Sequence, residues 1–108
     1  MSVPGVFRVA LRMQIRPGQE QAFENAWLSG ANVITDQPAN LGQWLFASSE
    51  ETGVYHIVSD WIDEPSFRRY ELSDEHFVHR ARLHPYRESG SMTTMTTVYA
   101  MTKEGADR

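Results

Sequence analysis

The stretch Gln43-Trp44-Leu45-Phe46-Ala47-Ser48-Ser49-Glu50-Glu51-Thr52-Gly53-Val54-Tyr55-His56-Ile57-Val58-Ser59-Asp60-Trp61 decides the fold. Two apolar-rich runs, Gln43–Ser49 and Val54–Trp61, flank the polar turn Glu50-Glu51-Thr52-Gly53. Aromatic and β-branched residues favour pleated backbone, and a short Gly-containing turn returns the chain on itself, so the pair reads as an antiparallel hairpin. Upstream, Phe7, Val9, Leu11, Met13 and Ile15 alternate with Arg8, Ala10, Arg12 and Gln14, the period-2 pattern of a strand with one apolar face. Arg16-Pro17-Gly18 ends that strand, and from Gln19 the spacing becomes helical: Phe23, Ala26, Trp27, Gly30, Val33 and Ile34 share one face. Gln37–Gly42 breaks the helix before the hairpin.

Downstream, Asp63 with Pro65 opens a helix through Phe67 and Tyr70. Ser73 or Asp74 caps a second helical piece in which Phe77, Ala81 and Leu83–His84 are expected on one face, and His84-Pro85 ends it. The β-branched run Ser91–Met101 supplies the last strand. The order β-α-β-β-α-β is the ferredoxin-like arrangement, an α+β fold whose helices cover one face of a four-stranded sheet. Strand 1 places Arg8 and Arg12 opposite its apolar row, and strand 2 places Trp44 and Phe46 opposite Leu45 and Ala47. Bulky groups on both faces predict that the open face meets a second copy, forming a homodimer.

The 108 residues suit one domain spanning 1–108, with an ordered core over about 6–102 and loose ends at Met1–Pro4 and Lys103–Arg108. A net charge of -4 offers no basic footprint for nucleic acid or an anionic membrane. The absence of cysteine excludes disulfides, thiol nucleophiles and Cys-ligated metal centres. No signal-like or membrane-spanning run is present, so a cytoplasmic protein is expected. His76 and His79 stand at i, i+3 near Glu75, but a third clear ligand is missing and no metal site is expected.

The run Val58-Ser59-Asp60-Trp61-Ile62-Asp63-Glu64-Pro65-Ser66-Phe67-Arg68-Arg69-Tyr70 resembles the strand-to-helix segment of the antibiotic biosynthesis monooxygenase family. The Arg8–Arg16 strand, Pro17-Gly18 and the Phe23–Trp27 helix are similar to the start of that family. Pro38-Ala39-Asn40-Leu41-Gly42-Gln43-Trp44, His84-Pro85-Tyr86-Arg87 and Gly90-Ser91-Met92 look like members encoded beside aromatic polyketide synthases. The resemblance implies a dimeric α+β barrel acting on a small aromatic polyketide. Several members oxidise anthrone-type compounds to quinones with molecular oxygen and no metal or flavin, so no cofactor is expected. Trp61 matches the family's pocket Trp, while Ile57 and Phe67 stand where some members carry Asn and Tyr. Heme-degrading relatives place an Asn and a His where Leu11 and Ala81 stand here, which speaks against heme.

The residues themselves suggest roles. His56, mid-strand, is a candidate base, and Arg12 a candidate for holding an oxyanion. With Trp61, whose pocket role the resemblance implies, these make the expected catalytic set; Trp44 and Tyr99 as stacking surfaces, with Ile57, Phe67 and Tyr70 added as what the resemblance implies, make the expected substrate-binding set. The leading function is a cofactor-independent monooxygenase for a polycyclic aromatic polyketide. The alternatives are a non-oxidative cyclase, or a ring-folding or stabilising partner of a polyketide synthase.

Overall fold

The computed structural model describes residues 5–103, so the expected looseness of Met1–Pro4 lies outside the described residues, as does most of the expected C-terminal tail. Four strands, β1 (Phe7–Ile15), β2 (Asn40–Ala47), β3 (Val54–Trp61) and β4 (Arg87–Thr96), form one antiparallel sheet in the order β2-β3-β1-β4. Helices α1 (Glu20–Gly30), α2 (Asn32–Thr35), α3 (Glu64–Glu71) and α4 (Asp74–Leu83) connect them. This is the ferredoxin-like α+β arrangement that the element order predicts.

Register assigns each side chain to a face. Rows Leu45–Ile57–Leu11–Met92 and Gln43–Ser59–Val9–Thr94 lie on the helix side. Phe46–His56–Arg12–Ser91 and Trp44–Val58–Ala10–Thr93 lie on the open side. On that open side Arg8 grips Asp60 with two hydrogen bonds, at 2.7 and 2.9 Å, and its guanidinium lies over the Trp44 ring at 5.8 Å. The hairpin turn needs Gly53 at φ 80, where a side chain would also crowd Gln14 and the Ile15 carbonyl.

Three element boundaries differ from the sequence reading. The Gln19–Ile34 helix is split at Ala31, whose carbonyl accepts a hydrogen bond from the Gln43 side chain. Strand β2 starts at Asn40 rather than Gln43, because the Asn40 amide donates to the carbonyls of Asp60 (3.1 Å) and Gly42 (3.2 Å) and carries the pairing across an irregular step. Strand β4 runs from Arg87 to Thr96 rather than from Ser91 to Met101. Its neighbour among the described residues is β1, which offers partners from Ile15, opposite Arg87, to Phe7, opposite Thr96.

Both helix caps read from the sequence form. Asp63 accepts from the Ser66 N–H at 2.9 Å and starts α3. Ser73 accepts from the His76 N–H at 3.2 Å, starts α4, and donates its hydroxyl to the Tyr70 carbonyl at 2.6 Å. Ser73 thus ties the end of α3 to the start of α4. Ser73→Ala is expected to lower stability by about 0.5–2 kcal/mol in thermal or denaturant melts, the usual cost of a lost cap.

The face that α4 turns inward also differs from the sequence reading. Phe77 is 56% exposed, with Val78 and Ala81 also outside, while His76, His79 and Leu83 face the sheet. The first turns of α4 therefore put imidazoles where hydrocarbon was expected. The core responds by dividing in two. Phe7, Val9, Ile34, Trp61, Phe67 and Tyr70 pack as one cluster, and Met13, Ile15, Phe23, Tyr55, Ile57 and Leu83 as another. Between them lies a cavity to which both contribute.

Candidate functional site

The cavity encloses about 330 Å³ between the sheet and helices α3 and α4. Its floor is the inward row of β1 and β3, chiefly Val9, Leu11, Ile57 and Ser59. Trp61, the last residue of β3, closes one end and is 1% exposed. Phe67 and Tyr70, three residues apart on α3, both reach its ring: Tyr70 stacks at 5.2 Å and 25°, Phe67 meets it edge-on at 5.4 Å. The indole N–H donates to Ser59 Oγ at 3.0 Å, which fixes the ring orientation from its own strand. The result is a rigid aromatic wall.

Polar and charged side chains line the chamber beside the apolar ones. Among the described residues the buried Tyr70 hydroxyl has no hydrogen-bond partner, and neither has His79 Nδ1. His76 meets the Tyr70 ring edge-on at 5.3 Å. Burial, with a smaller contribution from Glu75, pushes the Tyr70 phenol up to about 12, so it stays a neutral donor. Burial also lowers His76, with Glu71 opposing and Arg80 assisting. His79, 5% exposed, is lowered by burial and then by Arg82 and His76. Both imidazoles are therefore neutral acceptors at pH 7. Arg80, His84, Arg87 and Glu71 rim the opening. The Arg87 guanidinium lies across Gly90, in space that a Cβ there would take.

The buried His79 and the half-buried His76 make stability depend on pH. The unfolded chain, with His near its ordinary 6.5, takes up protons before the folded chain does. Their stabilising contribution is complete above about pH 6.5 and is lost as pH falls through the depressed folded values. Melting midpoints across pH 5–8 are expected to fall on the acid side, and His79→Gln to flatten that fall.

The sequence-derived site residues separate into two groups. Trp61, Ile57, Phe67 and Tyr70 line the cavity. His56 and Trp44 lie on the open face of the sheet, across from Arg12 and Val58 respectively. Arg12 borders the cavity along β1, but its guanidinium pairs with Glu51 at 3.1 Å. Tyr99 lies beyond the end of β4 and is 89% exposed. One chamber within this chain therefore does not gather His56, Trp44 and Tyr99 with Trp61. The sequence reading gave no site role to His76, His79 or Ser59. The signal was present: His76, His79 and Leu83 recur at i, i+3, i+7 and form one helical face.

The family model for antibiotic biosynthesis monooxygenases matches residues 6–82 of the chain. No curated protein matches the sequence. Among solved structures, SnoaB, a cofactor-independent oxygenase from Streptomyces nogalater, superposes with a TM-score of 0.80 at 17% identity, covering 92% of this chain and 99% of its own. A candidate antibiotic biosynthesis monooxygenase from Bordetella bronchiseptica gives a TM-score of 0.81 at 18% identity, covering 88% and 99%. A conserved protein from Methanosarcina mazei Go1 gives 0.76 at 18%, covering 83% and 90%. At these identities the neighbours establish the fold and leave the chemistry to the site itself. With a family match that runs from β1 into α4 and so takes in Trp61, His76 and His79, the chain belongs to the antibiotic biosynthesis monooxygenase family.

Proposed function

We propose that this protein is a cofactor-independent oxygenase that converts an anthrone-type polyketide to a quinone in the cavity between its sheet and its helices. The observation that supports this most is the wall formed by Trp61, Phe67 and Tyr70 beside unpartnered polar groups, in a chamber of about 330 Å³. That volume falls within the range of about 300–1,000 Å³ common for small-molecule sites. Flat rings suit the aromatic wall, and the phenolic oxygens of such compounds suit a rim that carries Arg80 and Arg87.

The reaction balances without another reductant. A methylene and one O2 give a carbonyl and one water: one oxygen atom stays on carbon, and the other leaves with both former C–H protons. The substrate supplies all the electrons once it has become an electron-rich anion. What the protein must provide is ionisation, orientation and exclusion of water.

A second copy packed on the open sheet face would cover Trp44, Phe46 and Met95, which are exposed there, and would place His56 and Arg12 at the junction. The homodimer belongs to this reading. Among the described residues no helix is long and apolar enough to cross a membrane.

The test is purified protein with anthrone under 18O2 and under argon. The expected result is quinone only with oxygen, one O2 consumed per quinone, one labelled atom retained, and a rate above the spontaneous one. Equal product under both gases contradicts oxygenation. The apolar Ile57 and Phe67, at positions where polar handles are found in some members, favour a non-oxidative cyclase as the second reading; it predicts an altered ring pattern under argon.

A further inference from the structure

Resting on the oxygenase reading for its use, we propose that His76 is the base that ionises the substrate and that Tyr70 donates to the resulting oxyanion. The ligand class that follows is a neutral phenol or an enolisable aromatic ketone, not a compound already charged at the reacting ring.

Three observations converge. His76 and Tyr70 both line the chamber and touch, with ring centres 5.3 Å apart. The Tyr70 hydroxyl is buried and has no acceptor among the described residues. A donor left unpaired in an apolar site costs stability unless a ligand completes it, so its partner is expected to be the ligand. The His76 side chain also makes no hydrogen bond among the described residues; only its backbone N–H is engaged, by Ser73. One acceptor and one donor therefore stand side by side, free of other duties, beside a wall that fits a flat ring.

The surroundings suit that division of labour. The titratable and charged neighbours of His76 are Tyr70 and Glu71 on α3, and Glu75, His79 and Arg80 on α4. On the sheet side Leu11, Ile57 and Ser59 carry no charge; Arg87 stands at the rim, and Arg12 is paired with Glu51. Burial keeps His76 neutral and able to accept a proton, and keeps Tyr70 protonated and able to donate. His56 does not share this environment, because it lies on the opposite face of the sheet.

The proton ledger closes. His76 takes the first methylene proton, and the carbanion passes an electron to O2 and recombines with the superoxide as a peroxide anion. Protonated His76 returns its proton to give the hydroperoxide. His76 then takes the second C–H proton while the O–O bond breaks, and the departing hydroxide collects that proton as water. Neutral His76 is restored, and Tyr70 donates to the ring oxygen, which carries the negative charge while the enolate lasts and is a carbonyl again once the peroxide forms.

The test uses a flat phenol that is neutral at pH 7, 1-naphthol, bound to the whole protein under argon, with the phenolate absorption band followed against pH. In the unaltered protein the apparent pKa of the bound probe is expected to fall at least one unit below that of the free probe. In H76Q and H76N, each checked for fold by circular dichroism, it is expected to return to the free value or rise above it. Y70F is expected to lose part of the shift. Anthrone turnover by H76Q is expected to fall about 10²–10⁴-fold and to lose the acid limb of its kcat/KM profile. A probe that does not bind, or an equal shift in both His76 variants, overturns the assignment. If the probe behaves as expected while anthrone oxidation proves independent of oxygen, the oxygenase reading fails and the base assignment stands.

Discussion

Trp61→Ala is expected to destabilise the fold by about 3–5 kcal/mol, the range for removing a large buried aromatic side chain. A domain of this size has about 5–15 kcal/mol in total, so the loss takes a large share of it. The argument rests on position: Trp61 is 1% exposed, ends the central strand pairings of β3, and meets both Phe67 and Tyr70. Removing it leaves α3 without its main contact on the sheet and opens the cavity into the core. Trp61→Phe keeps a ring but loses the hydrogen bond to Ser59, and is expected to cost about 1–2 kcal/mol. Denaturant melts of the two variants check the order. If Trp61→Ala proves as stable as Trp61→Phe, the aromatic wall is not what holds α3 in place.

Ile57→Trp is expected to separate function from stability in the opposite direction. Ile57 lies on the cavity floor between Leu11 and Leu45 in the sheet, and a larger ring there grows into open space. In a filled core the same change would cost about 1–3 kcal/mol by overpacking. Here stability is expected to move by less than about 1 kcal/mol, because existing space accepts the ring. Turnover of anthrone, or binding of a flat phenol, is expected to fall on the order of 100-fold, comparable to an ångström of misplacement. A large loss of stability with unchanged binding would mean that the space is not where ligands go.

The fold was legible because its signals are local and repeated. Strand β3 has the bounds that its residues suggest, and both caps form at Asp63 and Ser73. The site was legible only in part, and β3 explains why. Both of its faces mix apolar and polar residues: Tyr55, Ile57, Ser59 and Trp61 on one, Val54, His56, Val58 and Asp60 on the other. Alternation separates these sets, but only pairing with β1 shows which set meets the helices, and it turns His56 away from Trp61. Helix α4 misleads in another way. Hydrophobicity alone would bury Phe77 and Ala81, whereas the folded chain buries His79, whose Nδ1 has no partner among the described residues. Such a departure from local preference is expected where side chains serve a ligand rather than packing.

The central claim is that ligands enter the helix-side cavity and not the open face of the sheet. A crystal structure of the protein soaked with a flat hydroxyanthraquinone, which has no methylene left to oxidise, tests it most directly. The predicted result is ring density against Trp61, with a ring oxygen within hydrogen-bond distance of the Tyr70 hydroxyl and His76. Density against Trp44, Phe46 and His56, with the helix-side cavity left empty, would contradict it.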